Sequence, residues 1–321
     1  GVIGSGPAGL SCATYLARLG YAVTIYDRRS MAGGLNTYGM AEYKMTQQHS
    51  LDEVAQVEKL GVAFQLNTEI GKDISFADLE AKHDAIFIGA GLGGTQRLNI
   101  PGEELLGVYD SLDFIQRIKT RDWSCVPMGN RIAVIGAGNT AIDVVTQAKR
   151  LGAEHVMLIY RRTEREMPAY EYEYELAKQD GVEFLWQTAP VEIIASNDGS
   201  HVAAIKCVKT ELKTDATSGQ QRIVTVNGSE FVLPVDMVVK ALGQEKLKSF
   251  LSTLPNVNLD ASGRVIVSQA TMQTDNPKYF AGGDCVNGGS EAVNAAQHGK
   301  LAAQGIHKFL FGEEIYFEGG K

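Results

Sequence analysis

Two segments of the chain, GSGPAGLSCATYLARLG (Gly4–Gly20) and GAGNTAIDVVTQAKRLG (Gly136–Gly152), share a length of 17 residues, an opening G-x-G-x-x-[GA] and a closing Arg-Leu-Gly. Glycines at that spacing suit one kind of chemistry. The first permits a tight turn, the second lets the backbone approach a pyrophosphate, and a small third residue lets helix and strand pack closely. The helix N-terminus that follows offers unpaired N–H groups and a partial positive charge to phosphate oxygens. Each loop therefore predicts a dinucleotide site, and two copies weigh against incidental glycine turns.

The residues about twenty positions further on select the ribose. Asp27 stands 23 positions after Gly4, where a carboxylate accepts hydrogen bonds from a ribose 2′-OH. Arg161 and Arg162 hold the equivalent place in the second copy, with Arg165 nearby, and suit a 2′-phosphate. The two copies are expected to bind different dinucleotides: an unphosphorylated ribose at the first, and NADPH rather than NADH at the second.

The elements that must position these groups are legible around them. Val2-Ile3 and Arg131–Ile135 are short apolar runs that read as strands. Leu10, Ala13, Leu16 and Ala17 have helical spacing, and Gly20 and Gly152 stand where a helix would stop. A second β-type run follows each copy, at 22–26 and 155–160. Two further runs, 85–91 and 235–243, read as returning strands whose Gly91, Ala241 and Gly243 leave room for adenosine. A last strand enters Ala281-Gly282-Gly283-Asp284. Asp284 there could accept a bond from a sugar-like hydroxyl, and the Ala-rich helix from about Glu291, its start near Gly289-Ser290-Glu291 and followed by Ala292, could aim its dipole at a ligand.

Glycine makes up about 11% of the 321 residues against a usual 7% or so, clustered at these loops rather than spread as in a linker. With 44% hydrophobic and 21% charged residues, the chain is long enough for about two domains. A net charge of −8 gives no electrostatic reason to expect nucleic acid or a membrane surface as partner, and no apolar run approaches a membrane span of roughly 18 residues. Cys12, Cys125, Cys207 and Cys285 form no C-x-x-C pair and no metal-binding spacing, so no metal site is expected and a cytoplasmic setting is. The chain opens on Gly1, in a stretch that reads as a strand, so residues upstream are expected. The expected fold is α/β: two Rossmann-like three-layer domains, one (114–267) inserted in the other (1–113 and 268–321). The stretches at 197–200 and 215–220 read as turns, and the last nine residues as a tail.

These pieces together resemble the two-dinucleotide flavoprotein reductases. Within them, GGLNTYGMAEYKM, YRRTEREMPA and MQTDNPKYFAGGD are similar to the glutamate synthase small subunit and the amino-terminal half of dihydropyrimidine dehydrogenase. The segments 205–212 and 297–310 lie nearer the dehydrogenase. The resemblance implies FAD at the first loop, with Gly4, Ser5, Gly6, Pro7 and Ala8 on its pyrophosphate, Asp27 on its ribose, Ile70 on its adenine and Asp284 on its ribityl chain. Gly34, Leu35 and Lys44 would line the flavin end, Lys44 as the catalytic candidate near flavin N5. Gly136, Gly138, Asn139, Thr140, Arg161 and Arg162 would hold NADPH or NADH. Family members carry a helical iron–sulfur domain before the first glycine loop, so the clusters are expected there or in a partner: an electron-accepting large subunit, of dihydropyrimidine dehydrogenase type first and glutamate synthase type second. Ala41, Asp27 and Pro168 depart from the usual Pro, Glu and basic residue. Other classes are a non-catalytic dinucleotide sensor and a one-dinucleotide oxidase, the latter opposed by the second loop. His298 reads as a surface or packing residue rather than a proton donor.

Overall fold

The computed structural model describes residues 1–121, 123–214 and 221–317. The expected turn at 215–220 and part of the expected tail, 318–321, lie outside these residues. The chain begins with β1 (Val2–Ile3), α1 (Pro7–Arg18), β2 (Thr24–Tyr26), α2 (Leu35–Tyr38), α3 (Gln47–Lys59), β3 (Ala63–Gln65), α4 (Phe76–Lys82) and β4 (Ile86–Ile88). It continues through β5 (Val108–Asp110), α5 (Ser111–Lys119), β6 (Arg131–Ile135), α6 (Asn139–Arg150), β7 (His155–Ile159), α7 (Glu171–Gln179) and β8 (Glu183–Leu185). An antiparallel stretch follows: β9 (Thr188–Ala195), β10 (Val202–Thr214), β11 (Gln221–Thr225) and β12 (Phe231–Pro234). The chain closes with β13 (Met237–Lys240), α8 (Lys248–Leu251), β14 (Tyr279–Ala281), α9 (Asp284–Asn287) and α10 (Ala292–Phe311).

Two compact units result. The first comprises Gly1–Tyr38, Met45–Gly93 and Glu245–Lys321, the second Gly39–Lys44 and Gly94–Gln244. The boundaries therefore fall at 93/94 and 244/245, not at 113/114 and 267/268. Two contacts explain the shift. Strand β5 hydrogen-bonds to β13 in the second unit, while Leu251, Leu254, Val257 and Val265 complete the core around Ile3, Ile86 and Ile88 in the first. The six residues 39–44 also belong to the second unit, although first-unit sequence flanks them.

The first unit is built on a five-stranded parallel sheet, ordered β14-β4-β1-β2-β3. Successive strand residues point to opposite faces. Val2 and Phe87 pack under α1 and α10, and Ile3, Ile86 and Ile88 pack with Leu79 of α4 and the 251–265 segment. Helices α1 and α10 lie close because small residues line the contact. A Cβ on Gly299 would strike the carbonyl of Ala8 and stand 2.7 Å from the Cys12 amide nitrogen.

The second unit repeats the plan: a parallel sheet ordered β5-β13-β6-β7-β8. One face, Ile132, Val134, Val156 and Leu158, is buried by α5, α6 and α7. The other face, Ala133, Ile135, Met157 and Ile159, is covered by Ile193, Val202, Ile205 and Cys207 of an antiparallel sheet. In that sheet β10 pairs with β9 along one edge and with β12 and β11 along the other. The third layer of this unit, within the three-layer α/β arrangement expected, is thus a sheet.

Candidate functional site

The glycine loops are shaped by the strand beside them. Gly4 has φ +97° and Gly136 φ +129°, the region that side chains disfavour. A Cβ at Gly4 would collide with the carbonyl of Gly89 after β4, and one at Gly136 with the carbonyl of Ala241 after β13. These returning strands are the two that the sequence placed beside the adenosines.

The second glycine of each loop is constrained differently. Gly6 and Gly138 are N-caps with ordinary φ of −71° and −83°. A Cβ on Gly138 would have nothing within 4 Å, and one on Gly6 only the Gly34 Cα at 3.9 Å. Neither α1 nor α6 receives a side-chain cap, whereas Thr46 caps α3 and Ser75 caps α4. Helical first turns leave N–H groups unmet. The two loops therefore present backbone donors to a space that any side chain would narrow, which fits a pyrophosphate at each.

In the first unit the other expected residues gather around this loop. Asp27, just past β2, accepts hydrogen bonds from the Ser5 amide (2.8 Å), the Ser5 hydroxyl and the Arg29 amide (2.9 Å). A carboxylate offers about four acceptor positions. Asp27 thus fixes the loop while keeping capacity for a ribose hydroxyl. The Ser5 carbonyl accepts from Gly33 N–H at 3.0 Å, and a Cβ on Gly34 would lie 2.7 Å from the Gly6 Cα, which brings Gly34 and Leu35 to the loop. Gly91, φ +69°, is open where a Cβ would stand, and Ile70 is buried between β3 and α4. Gly283, φ +74°, sits against Ala8. Asp284 follows it, accepts from Ser290 N–H at 3.2 Å, and is pushed above the ordinary carboxylate range by burial. Glu291 and Ala292 are the N-cap and first residue of α10. His298, read from sequence as a surface or packing residue, has a defined role: its Nδ1 accepts the Gly283 N–H at 3.1 Å, and burial lowers its pKa. It shapes the turn that presents Asp284.

In the second unit Asn139 and Thr140 form the first turn of α6, Ala241 adjoins Gly136, and Gly243 is open with φ +88°. Arg161, Arg162 and Arg165 are all exposed on the connection after β7. None has a carboxylate within 4.0 Å among the described residues, although the chain is net acidic. Three unpaired guanidinium groups within five residues repel one another unless an anion joins them.

Lys44 belongs to the second unit. Its Nζ lies 2.7 Å from Asp143 Oδ1 and 2.7 Å from Glu173 Oε1, and Tyr43 Oη donates to Asp143 Oδ1 at 3.0 Å. Asp143 is 5% exposed and Glu173 3%. Burial pushes Asp143 above its usual range; it also opposes the charge on Lys44, yet the two carboxylates hold that ammonium above its ordinary value. Glu173 Oε2 is buried without a hydrogen-bond partner among the described residues. The ammonium carries three donors and these acids engage two, so a role toward a flavin would fall to the third. Sequence reading missed Asp143 and Glu173. A signal existed for the first: an acid between Ile142 and Val144 in the apolar stretch of α6.

The buried thiols Cys12, Cys207 and Cys285 are pushed up to about 12 by desolvation, so none is a thiolate near neutrality. Among the described residues no helix is long and apolar enough to cross a membrane, and no three metal-ligating groups cluster.

A family model described as pyridine nucleotide-disulphide oxidoreductase matches residues 1–299. The glutamate synthase [NADPH] small chain of Escherichia coli (strain K12) is 37% identical over 321 residues, spanning 96% of this chain and 68% of the relative. The NADP(+)-dependent formate dehydrogenase subunit beta of Moorella thermoacetica is 36% identical over 311 residues, spanning 96% of this chain but only 43% of that relative. Among solved structures, Mycobacterium tuberculosis FprA in complex with NADPH has a TM-score of 0.75 at 20% identity, covering 96% of this chain and 84% of that one.

Proposed function

The chain belongs to the pyridine nucleotide-disulphide oxidoreductase family, and from that premise we propose that it is an electron-input module that passes a hydride from NADPH to FAD, of the glutamate synthase small-chain type. One observation carries the reading. The same strand–glycine–helix cradle occurs in two separate parallel sheets, with a carboxylate after the second strand of one and three unpaired arginines in the other. When bound, the nicotinamide supplies the hydride and the flavin accepts it. The residues do the holding. Gly6 and the first turn of α1 face one pyrophosphate, Asp27 one ribose and Asp284 the sugar-like chain. Gly138 and the first turn of α6 face the other pyrophosphate, with Arg161 and Arg162 at a 2′-phosphate and Lys44 in reserve for the flavin.

The relatives favour the glutamate synthase type over the dihydropyrimidine dehydrogenase type that residues 205–212 and 297–310 had put first. The proposed partner is a large subunit that accepts electrons through iron–sulfur clusters, and the proposed compartment is the cytoplasm. The test is an anaerobic titration of the FAD-loaded chain with NADPH and with NADH, following flavin absorbance. Stoichiometric bleaching by NADPH at lower concentration than by NADH supports the reading; bleaching by neither overturns it.

The arginines give a sharper expectation. Arg161→Ala with Arg162→Ala weakens NADPH binding by about tenfold to a hundredfold, the scale of one or two charge-assisted hydrogen bonds, and leaves NADH within a few-fold. Equal losses for both nucleotides would reject the 2′-phosphate role.

A further inference from the structure

Tyr170 and Tyr172 take no part in the site as described so far, yet they are anchored to it. Their rings are stacked, with centroids 5.7 Å apart and planes 10° from parallel, and the residues are 41% and 70% exposed. The Tyr170 amide donates to Asn139 Oδ1 at 3.1 Å, and the preceding Ala169 amide donates to the Ala137 carbonyl at 3.2 Å. The start of α7 is thereby stitched to the second glycine loop and the first turn of α6. Tyr172 Oη donates to Glu173 Oε1 at 3.2 Å, which holds its ring in place from below.

We infer that the Tyr170–Tyr172 pair is a stacking platform for the adenine ring of the nicotinamide dinucleotide. The inference rests on the NADPH reading above. Tyr170 ends the connection between β7 and α7 and Tyr172 lies in the first turn of α7, and that connection carries Arg161, Arg162 and Arg165. A 2′-phosphate at those arginines and a pyrophosphate at Gly138 fix the two ends of the adenosine half. The ribose spans them, and the base it carries at C1′, beside the 2′-phosphate carbon, then lies within reach of the 161–172 segment. Exposed, parallel and rigidly held aromatic faces are what a flat base needs, since aromatic rings favour offset stacking. The nicotinamide half extends beyond the pyrophosphate, away from this segment.

The probe is 2′,5′-ADP, which carries the adenine and the 2′-phosphate but no nicotinamide. The full chain is titrated with it by calorimetry, and ring-current shifts of its adenine H2 and H8 are followed by NMR. The unmodified chain binds 2′,5′-ADP with upfield-shifted adenine protons. Tyr170→Ala with Tyr172→Ala weakens 2′,5′-ADP and NADPH alike, by about tenfold on the scale of base–aromatic stacking, and abolishes the shifts. Tyr170→Phe with Tyr172→Phe retains both, which separates the rings from the Tyr172–Glu173 hydrogen bond. Tyr172→Leu, at an exposed position, keeps the test open should the double alanine variant not fold; it loses part of the shift.

If the unmodified chain ignores 2′,5′-ADP, the NADPH reading fails and the platform with it. If it binds and the alanine or leucine variants bind equally well with unchanged shifts, the platform alone is overturned. A loss confined to NADPH assigns the rings to the nicotinamide and also overturns the adenine assignment.

Discussion

Gly6→Val is expected to yield a folded chain without its flavin. The valine would stand at an N-cap with φ −71°, and its Cβ meets only the Gly34 Cα at 3.9 Å, so the fold accommodates it at the cost of a poorer cap, about 1 kcal/mol. The branched side chain then occupies the space that a pyrophosphate requires. FAD-to-protein stoichiometry after purification should fall below about a tenth, with thermal unfolding of the apo chain within a few degrees of the unmodified apo chain. Gly138→Val is the mirror experiment: φ −83°, with open space around the new Cβ. It should keep FAD and lose flavin bleaching by NADPH. Flavin absorbance and NADPH titration on the two variants assign each cradle to its dinucleotide, and a fully yellow Gly6→Val protein removes FAD from the first loop.

The largest stability effect is expected at Lys44. Lys44→Met leaves Asp143 and Glu173 buried without their shared cation, and removing one partner of a buried pair costs about 3–5 kcal/mol. The pH dependence has a definite sign. Burial already raises Asp143 in the folded state, and loss of the ammonium raises it further. A carboxyl whose folded pKa exceeds its unfolded value near 3.9 binds its proton more tightly when folded. The folded state is therefore favoured in acid, and that advantage is lost as pH rises through the raised pKa. The deficit of the variant against the unmodified chain should be larger at pH 8 than at pH 5, measured by denaturant unfolding at each pH. A deficit independent of pH would point to lost packing of the lysine stem instead of unpaired charge. Lys44→Arg, which keeps the charge, should recover much of the loss.

Much of the fold was legible because its signals are local. A strand of two to five apolar residues, a glycine turn and a helix ended by glycine require only near neighbours, so β1, α1, β6 and α6 could be placed from sequence. Asp27 and the arginine pair were legible for the same reason: a βαβ unit of fixed length puts a fixed position at the end of its second strand. The antiparallel layer over β6 and β7 was not. Its strands β9 to β12 mix apolar and polar residues without a clean period of two, and which face of which sheet they cover is a choice among buried surfaces.

The sequence by itself determined that there are two glycine cradles, that each opens a helix, and that the groups offered to the two riboses differ in charge. Those properties are carried by backbone dihedrals and by residues within about thirty positions of one another. Only the tertiary structure decided that residues 39–44 join the second unit, that Lys44 sits between Asp143 and Glu173, and that His298 supports the turn before Asp284. The reason is physical. Lys44 and Glu173 are 129 positions apart, and a buried charge is tolerated only where distant elements happen to place its partner. No period or motif along the chain encodes that meeting; the packing of α6 and α7 against the 39–44 segment does.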